Sequence, residues 1–186
     1  LPPCILQPAL YHANGSPNQL GARYFWPGVG ITRRRHGRHP IEPVQLFATS
    51  CFLIAREVIE QVGLFEEALA PAYYEDVDYS LRCAKQGIPR YLCTTAIATH
   101  LSTFTFHRTH TRQQLAQICR QHRRWVVKRH FRGLNRASRE VALWVLDQLP
   151  APSDQDHGNT YQSPASSEVS ASNGYSPLHL DSTLPH

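Results

Sequence analysis

Residues 49–100 read TSCFLIAREVIEQVGLFEEALAPAYYEDVDYSLRCAKQGIPRYLCTTAIATH, and the order of signals within them decides the fold. The apolar run that opens them begins a few positions earlier, so residues 44–55, VQLFATSCFLIA, are expected as one buried strand rich in β-branched and aromatic side chains. In the REVIEQVG that follows, Val58, Ile59 and Val62 fall on one helical face and Gly63 stands where a helix ends. A second helix is expected from about Asp76 to Gln86, with Val77, Leu81 and Ala84 as its inward stripe and Gly87 as its stop. IPRYLCTTAIATH, residues 88–100, reads as a strand or two short ones. Strands alternating with helices in this way point to an α/β fold.

Between those helices, residues 73–78 crowd Glu75, Asp76 and Asp78 behind Tyr73 and Tyr74. Carboxylates in the first turn of a helix meet free N–H groups and the positive end of the dipole, worth about 0.3–1 kcal/mol each. Capping therefore explains an acid at this point. It does not explain the tyrosine pair or the surplus of acids. A carboxylate kept ionised at a helix start, beside aromatic walls, is also how a general base is prepared. From the residues alone both readings stay open.

Outward from this centre, residues 1–43 are rich in Pro, Gly and Arg, with a short strand expected around Cys4–Gln7, a turn at HANGSPN and an irregular stretch after it. From Thr111 to about Arg132 the pattern is helical and basic, with Leu115, Ile118, Trp125 and Val126 available to pack and the Arg and Lys side chains expected to face outward. A last helix is expected over ASREVALWVLDQL, ending at Pro150. Residues 151–186 are Ser, Pro, Asn, Gln, Thr and His with few large apolar side chains, and are expected to be a disordered tail.

At 186 residues, 41% apolar, the chain can bury one core. Every Lys and Arg precedes residue 140, so the first 150 residues carry a formal charge of +9 and the tail −4, which favours anionic partners for the folded part. Five cysteines without a CxxC pair suit reduced thiols in a cytoplasmic compartment better than a disulfide framework. No apolar run approaches the ~20 residues that span a bilayer. The glycines and arginines of GVGITRRRHGRH, residues 28–39, lack the Lys-Ser/Thr and the strand-to-helix setting of a phosphate loop, and a basic loop over the substrate is the expected role. His107, His110, Cys119 and His122 have a zinc-like look, but their placement before and inside a helix matches no common zinc module.

The phrases of residues 44–100 resemble the C-terminal half of family 2 glycosyltransferases with the GT-A fold. There a small-residue strand precedes a helix ending in a Gly-x-Phe-Asp-Glu phrase, here Gly63-Leu64-Phe65-Glu66-Glu67. An aromatic-Glu-Asp-x-Asp helix follows, here Tyr74-Glu75-Asp76-Val77-Asp78, then a glycine and a strand leading to a histidine, here His100. Residues 1–43 match more loosely, as the preceding strand and acceptor-side loop.

The resemblance implies the C-terminal part of a GT-A-type mixed sheet with flanking helices over residues 1–110, a basic helical extension over 111–150 and the tail over 151–186. It implies that Asp76 is the base of an inverting transfer from a nucleotide-sugar donor to a glycan or lipid-linked acceptor. Glu75, Asp78, Tyr74 and Ser50 would bind substrate, and His100 would reach a divalent metal, Mn or Mg. Nucleic acid is not expected as a partner; peripheral contact with the cytoplasmic face of a membrane is. The strands that hold the nucleotide, and the metal-carrying Asp-x-Asp, have no counterpart. The sequence contains no Met and begins at LPPCILQPAL, so an N-terminal half is expected to be missing and this chain to be an inactive fragment. A non-enzymatic module, binding anionic membrane or nucleic acid through residues 33–39 and 112–132, is the alternative.

Overall fold

In a computed structural model, residues 2–25, 29–101, 110–133 and 135–148 are described, and the expected tail lies outside them. In chain order they form β1 (Ile5–Tyr11), β2 (Pro17–Gln19), β3 (Ala22–Phe25), β4 (Val29–Thr32), β5 (Ile41–Pro43), β6 (Leu53–Ile54), α1 (Arg56–Val62), one 3-10 turn (Glu67–Leu69), α2 (Glu75–Lys85), β7 (Arg90–Thr99), α3 (Arg112–His130) and α4 (Arg136–Asp147).

A five-stranded sheet in the order β2-β1-β7-β5, with β6 also pairing to β1, makes the centre of this mixed α/β fold. β1 and β7 run parallel and the other pairs antiparallel. The β1–β7 ladder breaks between Pro8 and Ala9, where the partner jumps from Cys93 to Ile97. Proline has no N–H to give to a ladder, so an irregularity at this position is the expected accommodation.

Helix α1 buries Val58 and Val62 as the spacing predicts, while Ile59 remains 36% exposed. Gly63 closes α1 at φ +86°, a left-handed value that other residues adopt at a cost. Arg82 of α2 completes that end by donating to the carbonyls of Val62 (2.8 Å) and Leu64 (2.9 Å). The main core joins Ile5, Phe47, Val58, Tyr79, Cys83 and Leu92, so both helices pack on the β1–β7 centre. A second cluster, Leu46, Leu69, Val77 and Val126 with Tyr24, Tyr74 and Trp125 against it, fastens α3 to the start of α2.

Three expectations are corrected. Residues 44–55 do not form one strand: only Leu53–Ile54 is a strand, with an isolated bridge between Ala22 and Leu46. The run is buried as expected at Val44, Leu46, Phe47 and Ala48, but its N–H groups find scattered partners instead of one continuous ladder: Val44 donates to the Arg90 carbonyl (2.9 Å) and Leu46 to the Ala22 carbonyl (3.1 Å). Ala48 donates to Gln7 Oε1 (2.7 Å) and Phe47 to Ser80 Oγ (3.3 Å). Residues 22–32 and 41–43, expected as irregular, form the β3–β4 hairpin and β5. The inward face of α2 is Val77, Asp78, Tyr79, Ser80 and Cys83, with Ala84 exposed. The helix lies between two clusters, so it buries a wider and differently centred face than a single apolar stripe.

Candidate active site

Immediately before α2 the backbone is strained. Tyr73 and Tyr74 are consecutive non-glycine residues in the left-handed region, at φ 72° and 71°. Each such residue costs about 1–3 kcal/mol and persists only where its surroundings hold it. Two neighbours on α3 do so. His122 Nδ1 donates to the carbonyls of Ala72 (2.9 Å) and Tyr73 (3.0 Å). Arg123 Nε donates to the Tyr74 hydroxyl (2.7 Å), its guanidinium lies 5.8 Å from the centroid of that ring, and its Nη1 is bonded to the carbonyl of Leu146. Both side chains are buried, at 7% and 4% exposure.

The strained pair delivers the three acids to three different environments. Tyr74 stands at the N-cap of α2 and contributes no side-chain cap, so the acids of the first turn meet the free N–H groups directly. Glu75 Oε1 accepts from the Thr49 hydroxyl at 2.8 Å, and its Oε2 is buried without a partner. Asp76 Oδ1 accepts from the N–H of Val77 at 2.7 Å. Burial, and secondly the charge of Glu75, push the Asp76 carboxyl up to about 7 against the lowering effect of its backbone bonds. Crowding beside a second acid in a poorly solvated turn makes it a stronger base than an ordinary carboxylate.

Asp78 is fully buried and saturated: it accepts from His130 Nε2 at 2.7 Å and Arg82 Nε at 2.8 Å, with Arg129 Nε at 3.6 Å. Burial alone would raise its pKa, but the bonds from His130 and Arg82 carry it below the ordinary value. Its oxygens are spent inside the protein, joining α2 to the end of α3. Ser50 is exposed in the turn beside Thr49. Tyr24 packs against the same cluster as Tyr74, and its hydroxyl is buried without a partner. Burial, and then the proximity of Tyr74, raise its pKa.

His100 closes β7, its N–H donating to the Tyr11 carbonyl at 2.8 Å. Its Nδ1 lies 3.5 Å from the Asn18 amide, which also lies 3.1 Å from His12 Nδ1. Two imidazoles and an amide do not complete a cation site, and the described residues hold no group of three His, Cys, Asp or Glu side chains that would. The zinc-like spacing fares no better: His107 is outside the described residues, and His122 is engaged by the loop carbonyls.

Cys4, Cys83 and Cys119 are buried and take no part in a disulfide. The outward orientation expected for the cations of α3 is corrected in part. Arg123 points inward, and Arg129 pairs with Glu66 while lying 4.7 Å from the Trp125 ring centroid. Arg124 pairs with Asp147. Among the described residues, no helix is long and apolar enough to cross a membrane.

Thr49, Arg123 and His130 were missed from sequence, and His122 was noticed only for its zinc-like spacing. Their partners lie 26 to 52 positions away, beyond any local pattern.

A profile of the family described as Glycosyltransferase like family 2 matches residues 30–128, more than half of the chain. The low-salt glycan biosynthesis hexosyltransferase Agl10 of Haloferax volcanii is 28% identical over 99 residues, covering 53% of this chain and 31% of that protein. The chain thus matches less than a third of that relative's length.

Proposed function

Because the chain belongs to the family 2-like glycosyltransferases, we propose that it carries the acceptor side and the base of an inverting hexosyl transfer on a GT-A framework. Enzymes of this family take a sugar from a nucleotide-sugar donor and place it on a glycan acceptor, typically with a divalent metal. The relative's role in glycan biosynthesis supports a polysaccharide or lipid-linked glycan as the acceptor here.

The observation that carries the reading is the delivery of Asp76, with its raised pKa, by two strained tyrosines onto the first turn of α2. In the proposed step, the Asp76 carboxylate takes the proton of an acceptor hydroxyl. That oxygen forms the new bond to the anomeric carbon, and the bond to the nucleoside diphosphate breaks, its electron pair leaving with the phosphate oxygen. A base titrating near neutral pH is half ready at working pH and holds the proton better than an ordinary carboxylate.

Glu75 orients the turn through Thr49 and keeps Oε2 for a substrate hydroxyl. Tyr74 and Ser50 flank the acceptor. Asp78 acts at one remove, holding α2 against His130 and Arg82. His100 is proposed as a single donor toward a Mn or Mg ion completed by groups outside the described residues, and the base step does not run through it. The partition into an acceptor-side part, residues 1–110, and a helical extension, 111–150, is kept with one addition: α3 of the extension is a working part of the site, since it fixes Tyr73 and Tyr74.

The test is transfer by the full natural polypeptide that contains this chain. Asp76→Asn is expected to lower kcat by about 10²–10⁴-fold, and the wild-type rate to rise with pH through about 7 as the carboxyl ionises. Transfer that survives the substitution overturns the base assignment.

A further inference from the structure

Helix α4 carries apolar side chains on two sides. Ala142, Leu143 and Leu146 are buried, the last two against Val127 of α3. Val141, Trp144 and Val145 lie on the other side and are 62%, 65% and 45% exposed. Spacings of three and four residues make them one stripe along the helix. A surface helix ordinarily keeps that side polar, and a contiguous apolar stripe with an indole at its centre marks a place where something docks. What borders the stripe identifies the partner. The two helices run antiparallel, Val127 meeting Leu143 while Arg123 bonds the Leu146 carbonyl and Arg124 Nε donates to Asp147 Oδ2 at 3.1 Å. Arg120, Arg124 and Lys128 recur every four residues on α3 and are exposed, and exposed Arg132 follows just beyond its end. Glu140 also acts on the Arg124 guanidinium. Glu140 and Asp147 stand four residues before and three after Trp144, so they form the edge of α4 that joins the indole to the cation row. Four cations against two acids keep this strip positive.

We propose that this face of the α3–α4 hairpin docks on an anionic lipid surface, with Trp144, Val141 and Val145 entering the headgroup region and Arg120, Arg124, Lys128 and Arg132 meeting lipid phosphates. Indole rings settle at the boundary between headgroups and acyl chains, and each cation held near a negatively charged leaflet adds to the attachment. Neither half of the face suits the other candidates. A nucleic acid would engage the cations and leave three apolar side chains in water. A second copy of the chain would cover the apolar stripe and bring chiefly more cations to its rim. A lipid surface, charged outside and apolar beneath, uses both halves at once. The inference rests on the hairpin alone and not on the proposed transfer reaction.

Co-sedimentation of the chain with vesicles of phosphatidylcholine alone, and of phosphatidylcholine mixed with phosphatidylglycerol, tests this. The mixed vesicles are expected to bind about tenfold more tightly or better, and less so as salt is added. Trp144→Ala should weaken that binding about tenfold and Lys128→Gln about fivefold. Both are exposed positions, so circular dichroism should report an unchanged fold. Arg34→Gln with Arg35→Gln, which removes two exposed cations outside the hairpin, should leave binding as it was. No binding to either vesicle, equal binding to both, binding that survives Trp144→Ala, or a loss as large in the Arg34 and Arg35 variant overturns the proposal. So does a dimer in sedimentation equilibrium that Trp144→Ala dissociates, which would give the stripe to a second copy. None of these readouts involves transfer, so the outcome is independent of the assay on Asp76→Asn.

Discussion

Replacing Asp76 by Asn should make the protein more stable as the pH rises, while it removes transfer. The carboxyl is held at about 7, against an ordinary 3.8, because its charged form is poorly solvated and lies beside Glu75. Between those values the folded chain keeps a proton that the unfolded chain has released. Stability therefore falls as pH rises through this window and stays reduced above it. At 1.36 kcal/mol per pH unit, a difference of about three units sets a ceiling of about 4 kcal/mol. Partial exposure of the side chain and shared titration with Glu75 bring the expected effect to about 2 kcal/mol. Asn carries no charge, so the variant lacks this fall. Urea unfolding of both proteins at pH 4, 6 and 8.5 should show near-equal stability at the first, and a variant about 2 kcal/mol more stable at the last, or roughly 4–8 °C in Tm. A variant that follows the wild-type pH curve, or is less stable at pH 8.5, refutes the argument that this site is strained by its own charge.

Asp78 has the opposite sign. Its depressed pKa stabilises the fold above the ordinary carboxylate range and ceases to do so as pH falls through the folded value, so Asp78→Asn should cost about 3–5 kcal/mol at pH 7 by leaving Arg82 and His130 uncompensated; a pH series of thermal melts measures both. Arg123→Lys keeps the charge but not the fork that holds the Tyr74 hydroxyl and the Leu146 carbonyl. It is expected to lower kcat more than it changes KM for the acceptor, with Tyr74→Phe reproducing the part owed to the hydroxyl.

Local signals in the sequence carried most of the helical frame. Val58 and Val62 with Gly63 announce α1, and the helical, basic pattern from Thr111 to about Arg132 announces α3, which the structure opens with a capping box of Thr111 and Gln114. The apolar run 44–55 shows the limit of such reasoning. Hydrophobicity told that the segment is buried, but whether its N–H groups meet a strand or the side chains of Gln7 and Ser80 depends on elements 33 and 41 positions away. The acidic cluster was legible as a candidate site because its members are adjacent. Their differing states were not, since Asp78 is quenched by His130 from the far end of α3 and Asp76 is perturbed by burial that only tertiary packing creates.

The grip of α3 on Tyr73 and Tyr74 also sets a clock on the newborn chain. Every residue assigned to the chemistry has left the ribosome by His100, yet His122, Arg123 and His130 have not. About thirty more residues, or roughly 2–6 s of synthesis at 5–20 residues per second, separate possession of the base from its alignment. During that interval the nascent protein carries its acids without the helix that fixes Tyr73 and Tyr74, and the proposed transfer waits on a helix that contains none of them.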